Sequence, residues 1–309
     1  MRPEYYADLY RHYISFVRKF GDNKLYRIAC GPYGDDLHWT ETMMKQAGGK
    51  FQGMGMHYYC HSERKKQLAV EGTEDDWYFL LHNANRMDEL LKAQVAVLDH
   101  HDPSGRTTLL VDEWGTWHEV EPDTNPGFLY QQNTIRDALA TSVTLDIFNR
   151  HCRRVYGANI AQTVNVLQAM ILTEGDRMLL TPTYHVFEMY VPHHDATCLP
   201  CHVETEMLGE GDTEVPRVSA SASRAEDGSV HVTMTNLDAD AAVDVSVALH
   251  GVNVSSVKGR VLAGDALNSH NTIDQPNKVA PEEFDDVTLT QVGIDIKMPP
   301  RSVMSLAVQ

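Results

Sequence analysis

The chain has 309 residues, in which 43 acidic side chains against 26 basic ones give a formal charge of −17. This charge disfavours nucleic acid and anionic membranes as partners, because both bind positively charged surfaces. An apolar share of 42% excludes a disordered or fibrous chain, and no run reaches the ~18 apolar residues of a transmembrane helix. The start of the chain is polar and has no signal peptide pattern, so we expect a cytoplasmic protein. A neutral ligand such as a sugar remains compatible with the acidic composition.

Helical and strand-like segments alternate up to about residue 200. Pro3 suits a first helical position and begins a predicted helix over residues 3–19. One face of this helix is predicted to be buried, and it consists of Tyr6, Leu9, Tyr13, Phe16 and Val17. Further helices are predicted over residues 40–47, 75–97 and 128–156, and strands over residues 25–30, 51–59, 107–111 and 164–172. The last run also fits a helix. The alternation predicts a parallel sheet covered by helices.

The C-terminal third has a different pattern. Apolar and polar residues alternate strictly over residues 230–235, 243–249 and 294–297, and no helical segment separates these runs. Strands in this arrangement are typical of an antiparallel sandwich with one buried face on each sheet.

Residues 109–115 (LLVDEWG) form the strongest local motif for chemistry. An apolar strand there delivers the carboxylate of Glu113 at its C-terminal end, which is where parallel α/β barrels have their active sites. Such a carboxylate is suited to attack the anomeric carbon of a sugar and later to leave. The alternative interpretation is a strand-end acid that caps the following helix.

Two other segments have functional and structural interpretations of similar weight. His57 and Tyr59 follow a predicted strand and could hold a nucleophilic carboxylate by hydrogen bonds, or they could form a polar aromatic rim without catalytic function. The aromatic run over residues 179–190 suits a sugar-binding wall and suits an interface between two domains equally well.

Several of these motifs together resemble one known family. Residues 112–115, 131–139, 159–167 and 184–190, with residues 2–10 and 298–303, are similar to glycoside hydrolase family fifty-one, the α-L-arabinofuranosidases. The resemblance implies a (β/α)₈ TIM-type barrel followed by a C-terminal jelly-roll β-sandwich, an α/β plus β fold. It also implies retaining hydrolysis of terminal α-L-arabinofuranosyl residues from arabinan, arabinoxylan and their oligosaccharides, with no metal and no other cofactor.

The resemblance assigns roles to four residues of this chain. Glu113 matches the catalytic nucleophile of the family, and His57 and Tyr59 match residues that line the furanose site. Trp114 follows the nucleophile and is expected at the wall of the site. Because members of the family are often oligomeric, a homo-oligomer is compatible with the resemblance.

The sequence departs from the family at the general acid/base. In the family this residue is the glutamate of an Asn-Glu pair, and no asparagine of this chain is followed by glutamate. Residues 2–6 resemble the helix that comes directly after that pair. We therefore expect about the last four βα units of a barrel over residues 1–182, a sandwich over residues 183–309, and weak or no activity.

Alternative functions remain open at this point. The chain could be a non-catalytic carbohydrate-binding or assembly module, or it could belong to a glycosidase of another specificity, such as a xylosidase or an endoglucanase. Acids in the loops at residues 119–123 and 174–176 could substitute for the missing proton donor.

Two segments of the sequence contain residues that could bind a metal. Residues 198–202 (CLPCH) match the pattern for haem attachment and could also bind zinc with His193 and His194, but an incidental loop is the favoured interpretation. His100 and His101 are predicted to lie in a solvated turn. We therefore predict no metal site, and the odd total of five cysteines argues against a disulfide framework.

Overall fold

The computed structural model describes residues 1–61 and 67–309 and shows a mixed α/β fold rich in strands. Within the described residues the α-helices are α1 (Pro3–Ile14), α2 (Leu37–Ala47), α3 (Glu74–Asn85), α4 (Met87–His101), α5 (Ile135–Arg150) and α6 (Pro182–Tyr190). The first nine strands are β1 (Ile28–Ala29), β2 (Gly53–His61), β3 (Thr108–Trp117), β4 (Val155–Ile160), β5 (Ile171–Glu174), β6 (Arg177–Leu180), β7 (Thr197–Leu199), β8 (Met207–Leu208) and β9 (Val215–Pro216). The remaining strands are β10 (Val218–Arg224), β11 (Val230–Asn236), β12 (Val243–Ala248), β13 (Val257–Ala263), β14 (Glu282–Phe284), β15 (Val287–Leu289), β16 (Gly293–Met298) and β17 (Ser302–Val308).

The chain folds into two compact units that do not follow chain order. Unit 1 consists of Met1–Tyr59, Arg86–Trp114 and His151–Ile160. Unit 2 consists of Cys60–Asn85, Gly115–Arg150 and Ala161–Gln309. The domain boundary that the sequence predicts between residues 182 and 183 stays a prediction. None of the described helices has the length and apolar character of a bilayer-spanning segment.

Unit 1 is organised by a four-stranded sheet in the order β1-β2-β3-β4. β1 runs parallel to β2 and β3 runs parallel to β4, as the alternation of strands and helices predicted. α1 packs against α2, and α2 packs against α4. α2 begins where the Asp36 side chain accepts the Trp39 backbone N–H over 3.1 Å, which satisfies an otherwise unpaired amide of the first turn.

The strand β3 contains a bulge. Val111 pairs with Ala158 on β4 and Trp114 pairs with Ile160, so Asp112 and Glu113 together oppose the single residue Asn159. A bulge of this kind leaves one residue outside the regular pairing and changes the direction in which nearby side chains point.

The predicted course of α1 is wrong at its C-terminal end. α1 ends at Ile14, and the backbone N–H groups of Phe16 and Val17 then bond to carbonyls three residues back, which closes a turn instead of extending the α-helix. Tyr13, Phe16 and Val17 are 68%, 69% and 47% exposed, so they do not form the predicted buried face. The regular spacing of apolar residues therefore overstates how much of this helix is packed.

Three further boundaries differ from the predictions. Residues 75–97 form two helices, α3 and α4, because the chain turns at Arg86. The predicted helix over residues 128–156 is shorter and begins at Ile135, and its last predicted residues belong to β4. The strand predicted over residues 164–172 begins only at Ile171.

Besides the two-stranded sheets β5-β6 and β8-β9, unit 2 contains two larger antiparallel sheets, as the alternating C-terminal runs predicted. One has the strand order β14-β13-β17-β11-β10-β7, and the other has the order β12-β16-β15. The predicted alternating runs correspond to β11, β12 and β16. The core of these sheets is made of buried apolar side chains, among them Val232, Met234, Ile296, Met298, Met304 and Leu306. Burial of this apolar surface is the main contribution to the stability of the two packed sheets.

Helix α5 is the most deeply buried helix of unit 2. Thirteen of its 16 residues are buried, including polar ones. It packs against α3, α6 and the strands β10 and β11. A helix covered on nearly all sides must satisfy its polar side chains internally, and α5 does so with two separate hydrogen-bond networks, one around Asp137 and one around Asp146.

Candidate active site

Glu113 lies at the β3 bulge with 46% of its side chain exposed. The Tyr59 hydroxyl on the neighbouring strand β2 donates a hydrogen bond to Glu113 Oε2 over 2.9 Å. His57, two residues earlier on β2, has its Nδ1 atom 3.4 Å from the same oxygen. The structure thus brings together three of the four predicted site residues around one carboxylate oxygen.

His57 also contacts a second carboxylate. Its Nε2 atom lies 3.3 Å from Asp112 Oδ1, so the imidazole ring is placed between two acidic residues that are adjacent in sequence. Asp112 is held in turn by the backbone N–H of Met56, which donates to Oδ1 over 3.1 Å. The sequence prediction did not include Asp112, although the tandem acids were the available signal.

The bulge explains why both carboxylates reach the same ring. Adjacent side chains of a regular strand point to opposite faces of the sheet, so a regular β3 would separate Asp112 from Glu113. Because the two residues oppose one residue of β4, the alternation is interrupted at this point. Sequence patterning cannot predict this arrangement, since the bulge is defined by pairing with another strand.

Tyr59 is a stable hydrogen-bond donor. Burial raises the pKa of its hydroxyl well above the usual value, and the hydrogen bond to the Glu113 carboxylate raises the pKa further. The phenol therefore keeps its proton at neutral pH. A half-exposed carboxylate that accepts from a neutral phenol and faces an imidazole is equipped to act as a nucleophile toward an electrophilic carbon.

Trp114, the fourth predicted residue, is only 2% exposed. It pairs with Ile160 in the sheet and belongs to the largest fully buried side chains. The position supports the sheet next to Glu113, and a role at the wall of a sugar site stays a prediction.

Unit 2 contains a fully buried hydrogen-bond network around Asp137, part of which directly follows residues 109–115 in sequence. His118 Nε2 lies 2.7 Å from Asp137 Oδ1, and the Thr116 hydroxyl donates to the same oxygen over 2.7 Å. Thr134 donates to Asp137 Oδ2 through its N–H (2.7 Å) and its hydroxyl (3.0 Å). Burial opposes ionisation of Asp137, but the charge and hydrogen bond of His118 are among the interactions that hold its pKa well below the usual value. The network anchors the start of α5 to the end of β3.

The metal motifs of the sequence do not form a ligand cluster. Among residues 1–61 and 67–309, no group of three or more histidine, cysteine, aspartate or glutamate side chains is arranged to bind a metal ion. Cys198 lies on β7 and donates to the Asn149 carbonyl over 3.3 Å, while His202 is exposed and contacts Glu204. His100 and His101 form the last turn of α4, so the predicted solvated turn is wrong at these two residues.

The predicted aromatic segment over residues 179–190 forms the end of β6 and helix α6. Its Tyr190 is buried, and the hydroxyl donates to Asp146 Oδ1 over 2.7 Å. Of the acids in the two predicted loops, Glu121 accepts the Gln132 N–H over 3.2 Å, and Glu174 lies at the exposed end of a hairpin.

Comparisons with known proteins agree on one family. A family model described as the α-L-arabinofuranosidase C-terminal domain matches residues 112–302. An intracellular exo-α-L-arabinofuranosidase of Bacteroides ovatus is 40% identical over 312 residues, which cover 100% of this chain and 61% of that protein. The chain therefore spans about three fifths of the length of this relative.

Solved structures give the same result. The GH51 arabinofuranosidase of Xanthomonas axonopodis pv. citri matches with a TM-score of 0.97 and 45% identity, covering 100% of this chain and 63% of that one. An α-L-arabinofuranosidase of Thermotoga maritima, solved as an arabinose complex, matches with a TM-score of 0.81 and 23% identity, covering 100% and 62%. The second likeness is evidence for the fold alone.

Proposed function

The chain belongs to the α-L-arabinofuranosidase C-terminal domain family, and from this membership we propose that it carries the nucleophile of a retaining α-L-arabinofuranosidase. The proposed substrates are terminal α-L-arabinofuranosyl residues of arabinan, arabinoxylan and their oligosaccharides. The observation that supports this most directly is the contact of Glu113 with both Tyr59 and His57 within unit 1. No cofactor is needed for the reaction proposed.

In the first step of the proposed reaction, a carboxylate oxygen of Glu113 attacks the anomeric carbon of the arabinofuranosyl unit. The bond from that carbon to Glu113 forms while the glycosidic C–O bond breaks, and the departing oxygen takes a proton from a general acid. In the second step, water adds to the anomeric carbon, loses a proton to a general base and releases the Glu113 carboxylate. In this proposal Tyr59 and His57 hold Glu113 in position through their contacts with its Oε2 atom.

We propose that the described surroundings of Glu113 do not supply the general acid. The groups placed against its carboxylate in the described residues are the Tyr59 hydroxyl and the His57 ring, and the chain contains no Asn-Glu pair. General acid catalysis typically contributes ~10² to 10⁴-fold, so unactivated substrates are expected to react slowly. A leaving group that departs as a stable anion avoids this requirement.

We also propose the finer fold assignment. The parallel strands β1 to β4 with their helices would be about four βα units of a (β/α)₈ barrel, and the two antiparallel sheets would form a jelly-roll sandwich. Support comes from the alternation of strands and helices in unit 1 and from the antiparallel pairing in unit 2. A cytoplasmic location, suggested by the name of the Bacteroides relative, and a homo-oligomer belong to the same proposal.

The test uses 2,4-dinitrophenyl α-L-arabinofuranoside, whose leaving group needs no proton. We expect a burst of about one equivalent of dinitrophenolate per chain, because the glycosyl ester forms quickly and water attacks it slowly without a general base. Peptide mass mapping should place the arabinosyl ester on Glu113. Glu113→Gln should abolish burst and label, and Glu41→Gln, at a half-exposed glutamate paired with Lys45, should retain both.

Each alternative has its own outcome. Saccharide binding without any burst would contradict the enzyme and support a carbohydrate-binding module. A burst with an aryl xyloside or glucoside but not with the arabinofuranoside would contradict the proposed specificity. Rapid turnover of an alkyl arabinofuranoside would contradict the missing general acid.

A further inference from the structure

Tyr33 is an exposed aromatic residue in the segment that continues β1, within the same unit as Glu113. Its side chain is 56% exposed. An aromatic ring supplies a large apolar face and, in tyrosine, a polar tip, so an exposed ring beside a candidate active site is suited to bind a ligand.

The backbone of Tyr33 is fixed to the strand that carries His57. The His57 N–H donates to the Pro32 carbonyl over 3.1 Å, and the Gly34 N–H donates to the His57 carbonyl over 2.9 Å. These hydrogen bonds flank Tyr33 and form a parallel bridge between Tyr33 and His57. Residues paired in this way direct their side chains to the same face of a sheet. Tyr33 therefore shares a face with His57 and with Tyr59, two residues farther along β2.

A shift of one residue in the pairing places the Tyr33 ring on this face. In β1, Ala29 pairs with Met54. At that register Tyr33 would oppose the residue after His57, and its side chain would point to the other face of the sheet. Between the two pairs, Gly31 lies so close to β2 that a Cβ atom would be 1.6 Å from a backbone oxygen of that strand. The close approach therefore requires glycine at this position.

The turn that follows Tyr33 is held by a buried amide. Gln94 is fully buried, its Nε2 atom donates to the Gly34 carbonyl over 2.9 Å, and its Oε1 atom accepts the Thr40 hydroxyl over 2.6 Å. The Asp36 N–H donates to the Tyr33 carbonyl over 3.3 Å. A backbone that is fixed before a ligand arrives lowers the entropy that is lost on binding.

The Tyr33 phenol lies near the contacts of Glu113. Burial is the largest cause of the raised pKa of Tyr59, the hydrogen bond to Glu113 follows, and the charge of an ionised Tyr33 raises the pKa further. The strand order places β2 between the segment of Tyr33 and β3. Because neighbouring strands are about 4.8 Å apart, the backbones of Tyr33 and Glu113 are about 10 Å apart across the sheet.

We propose that Tyr33 binds the leaving group of the glycoside, a sugar unit or an aryl ring, by stacking on it, and so determines which leaving groups the site prefers. The proposal rests on the proposed function of Glu113. In a retaining glycosidase the leaving group lies on the side of the anomeric carbon that faces away from the nucleophile. The arabinofuranosyl unit takes the space against Glu113, and Tyr33 lies one strand beyond His57 and Tyr59, where the leaving group is placed.

The test compares two arabinofuranosides that differ only in the leaving group. The 2,4-dinitrophenyl glycoside has an aromatic ring that can stack on Tyr33, and α-L-arabinofuranosyl fluoride has none. With both substrates the anomeric carbon bonds to Glu113 while the leaving group departs as an anion that needs no proton. Burst rates measured over a range of concentrations give a half-saturating concentration and a maximal burst rate for each substrate.

The expected result is a loss of affinity for one substrate only. In Tyr33→Ala the half-saturating concentration of the dinitrophenyl glycoside should rise about 10-fold, because apolar contact with the leaving group is lost, and the maximal burst rate should be unchanged. The values for the fluoride should not change. Tyr33→Phe keeps the ring and should behave as wild type. Tyr5→Ala, at a 55% exposed tyrosine of α1, is the matched control and should alter neither substrate.

Other outcomes would contradict the proposal. Unchanged half-saturating concentrations for both substrates in Tyr33→Ala would overturn the contact with the leaving group. An equal rise for both substrates would also overturn it, since the fluoride has no ring and the contact would then be with the arabinofuranosyl unit. The absence of a burst with either substrate in the wild-type chain would instead overturn the proposed function, and this inference with it.

Discussion

Asp137 and Asp146 lie on the same helix, α5, and both are fully buried, yet their surroundings affect ionisation in opposite directions. Asp137 faces the imidazole of His118 at 2.7 Å, and its pKa is held well below the usual value despite burial. Asp146 accepts hydrogen bonds from the hydroxyls of Tyr190, Ser219 and Ser221, and burial raises its pKa. The different partners of the two carboxylates thus shift their pKa values in opposite directions.

We expect Asp137→Asn to destabilise the protein strongly. The substitution removes the carboxylate partner of His118 and disturbs three contacts to Thr116 and Thr134, so the free energy of unfolding should fall by about 3–5 kcal/mol. Urea denaturation at neutral pH measures this. Asp176→Asn, an exposed turn residue, is the control and should change stability by less than about 0.5 kcal/mol.

The loss of stability in Asp137→Asn should also depend on pH. The pKa of Asp137 is lower in the folded than in the unfolded protein. The ionised Asp137 therefore contributes its full stabilisation above the unfolded pKa of ~3.9, and this contribution declines as pH falls toward the folded pKa. The difference between wild type and variant should therefore narrow below about pH 4. An equal difference at pH 7 and pH 3 would contradict the assignment.

The stability of Asp146→Asn relative to wild type should change with pH in the opposite direction. Since the pKa of Asp146 is raised on folding, the wild-type chain is penalised for ionisation as pH rises above the unfolded value of ~3.9. The neutral asparagine carries no such penalty, and the surrounding hydroxyls can rotate to meet it. We expect the variant to gain stability relative to wild type between pH 4 and pH 7 in parallel urea titrations. A relative loss over that interval would show that the hydroxyls favour the anion more than burial opposes it.

Tyr59→Phe should slow the first chemical step with little effect on stability. The substitution removes the hydroxyl that donates to Glu113 Oε2, and a hydrogen bond to a charged group contributes about 1.5–3 kcal/mol, or roughly 10- to 100-fold in rate. The burst rate with the dinitrophenyl arabinofuranoside measures this loss. Tyr13→Phe, at a 68% exposed position on α1, controls for the change of residue type and should leave the rate unchanged. An unaltered rate in Tyr59→Phe would mean that the hydroxyl does not assist Glu113.

Arg154→Lys should destabilise unit 1. The Arg154 guanidinium is nearly fully buried, contacts Asp99, and donates to the carbonyls of Thr107 and Asp102 over 2.7 Å each. Lysine cannot reproduce these forked contacts, so we expect a loss of about 2–4 kcal/mol in urea denaturation.

The control for Arg154→Lys is Arg106→Lys. Arg106 and Arg154 both contact the Asp102 carboxylate at 3.6 Å, but the side chain of Arg106 is 84% exposed. Solvent screening makes such contacts weak, so a loss below about 0.5 kcal/mol is expected. Comparable losses in the two variants would contradict the view that burial and the carbonyl contacts decide the effect.

Local patterns in the sequence predicted strands of both units. Alternating apolar and polar residues predicted β11, β12 and β16, because strand side chains alternate between two faces, and the alternation of strand-like and helical segments predicted the parallel strands of unit 1. The motif containing Glu113 and the pair His57 and Tyr59 were also identified from sequence. The helix α1 was over-predicted, since periodicity gives a potential apolar face and does not show whether anything covers it.

Tertiary structure alone decided the arrangement of the site. Asp112 and Glu113 are neighbours in sequence and would face opposite sides of a regular strand, but the pairing of β3 with β4 introduces the bulge that lets both approach His57. Likewise, nothing in the residues of α5 distinguishes Asp137 from Asp146, because the partners that set their ionisation come from other segments of the chain. The sequence determines which side chains are available for chemistry, and contacts between distant segments determine which of them act together, because distance and burial control their charges.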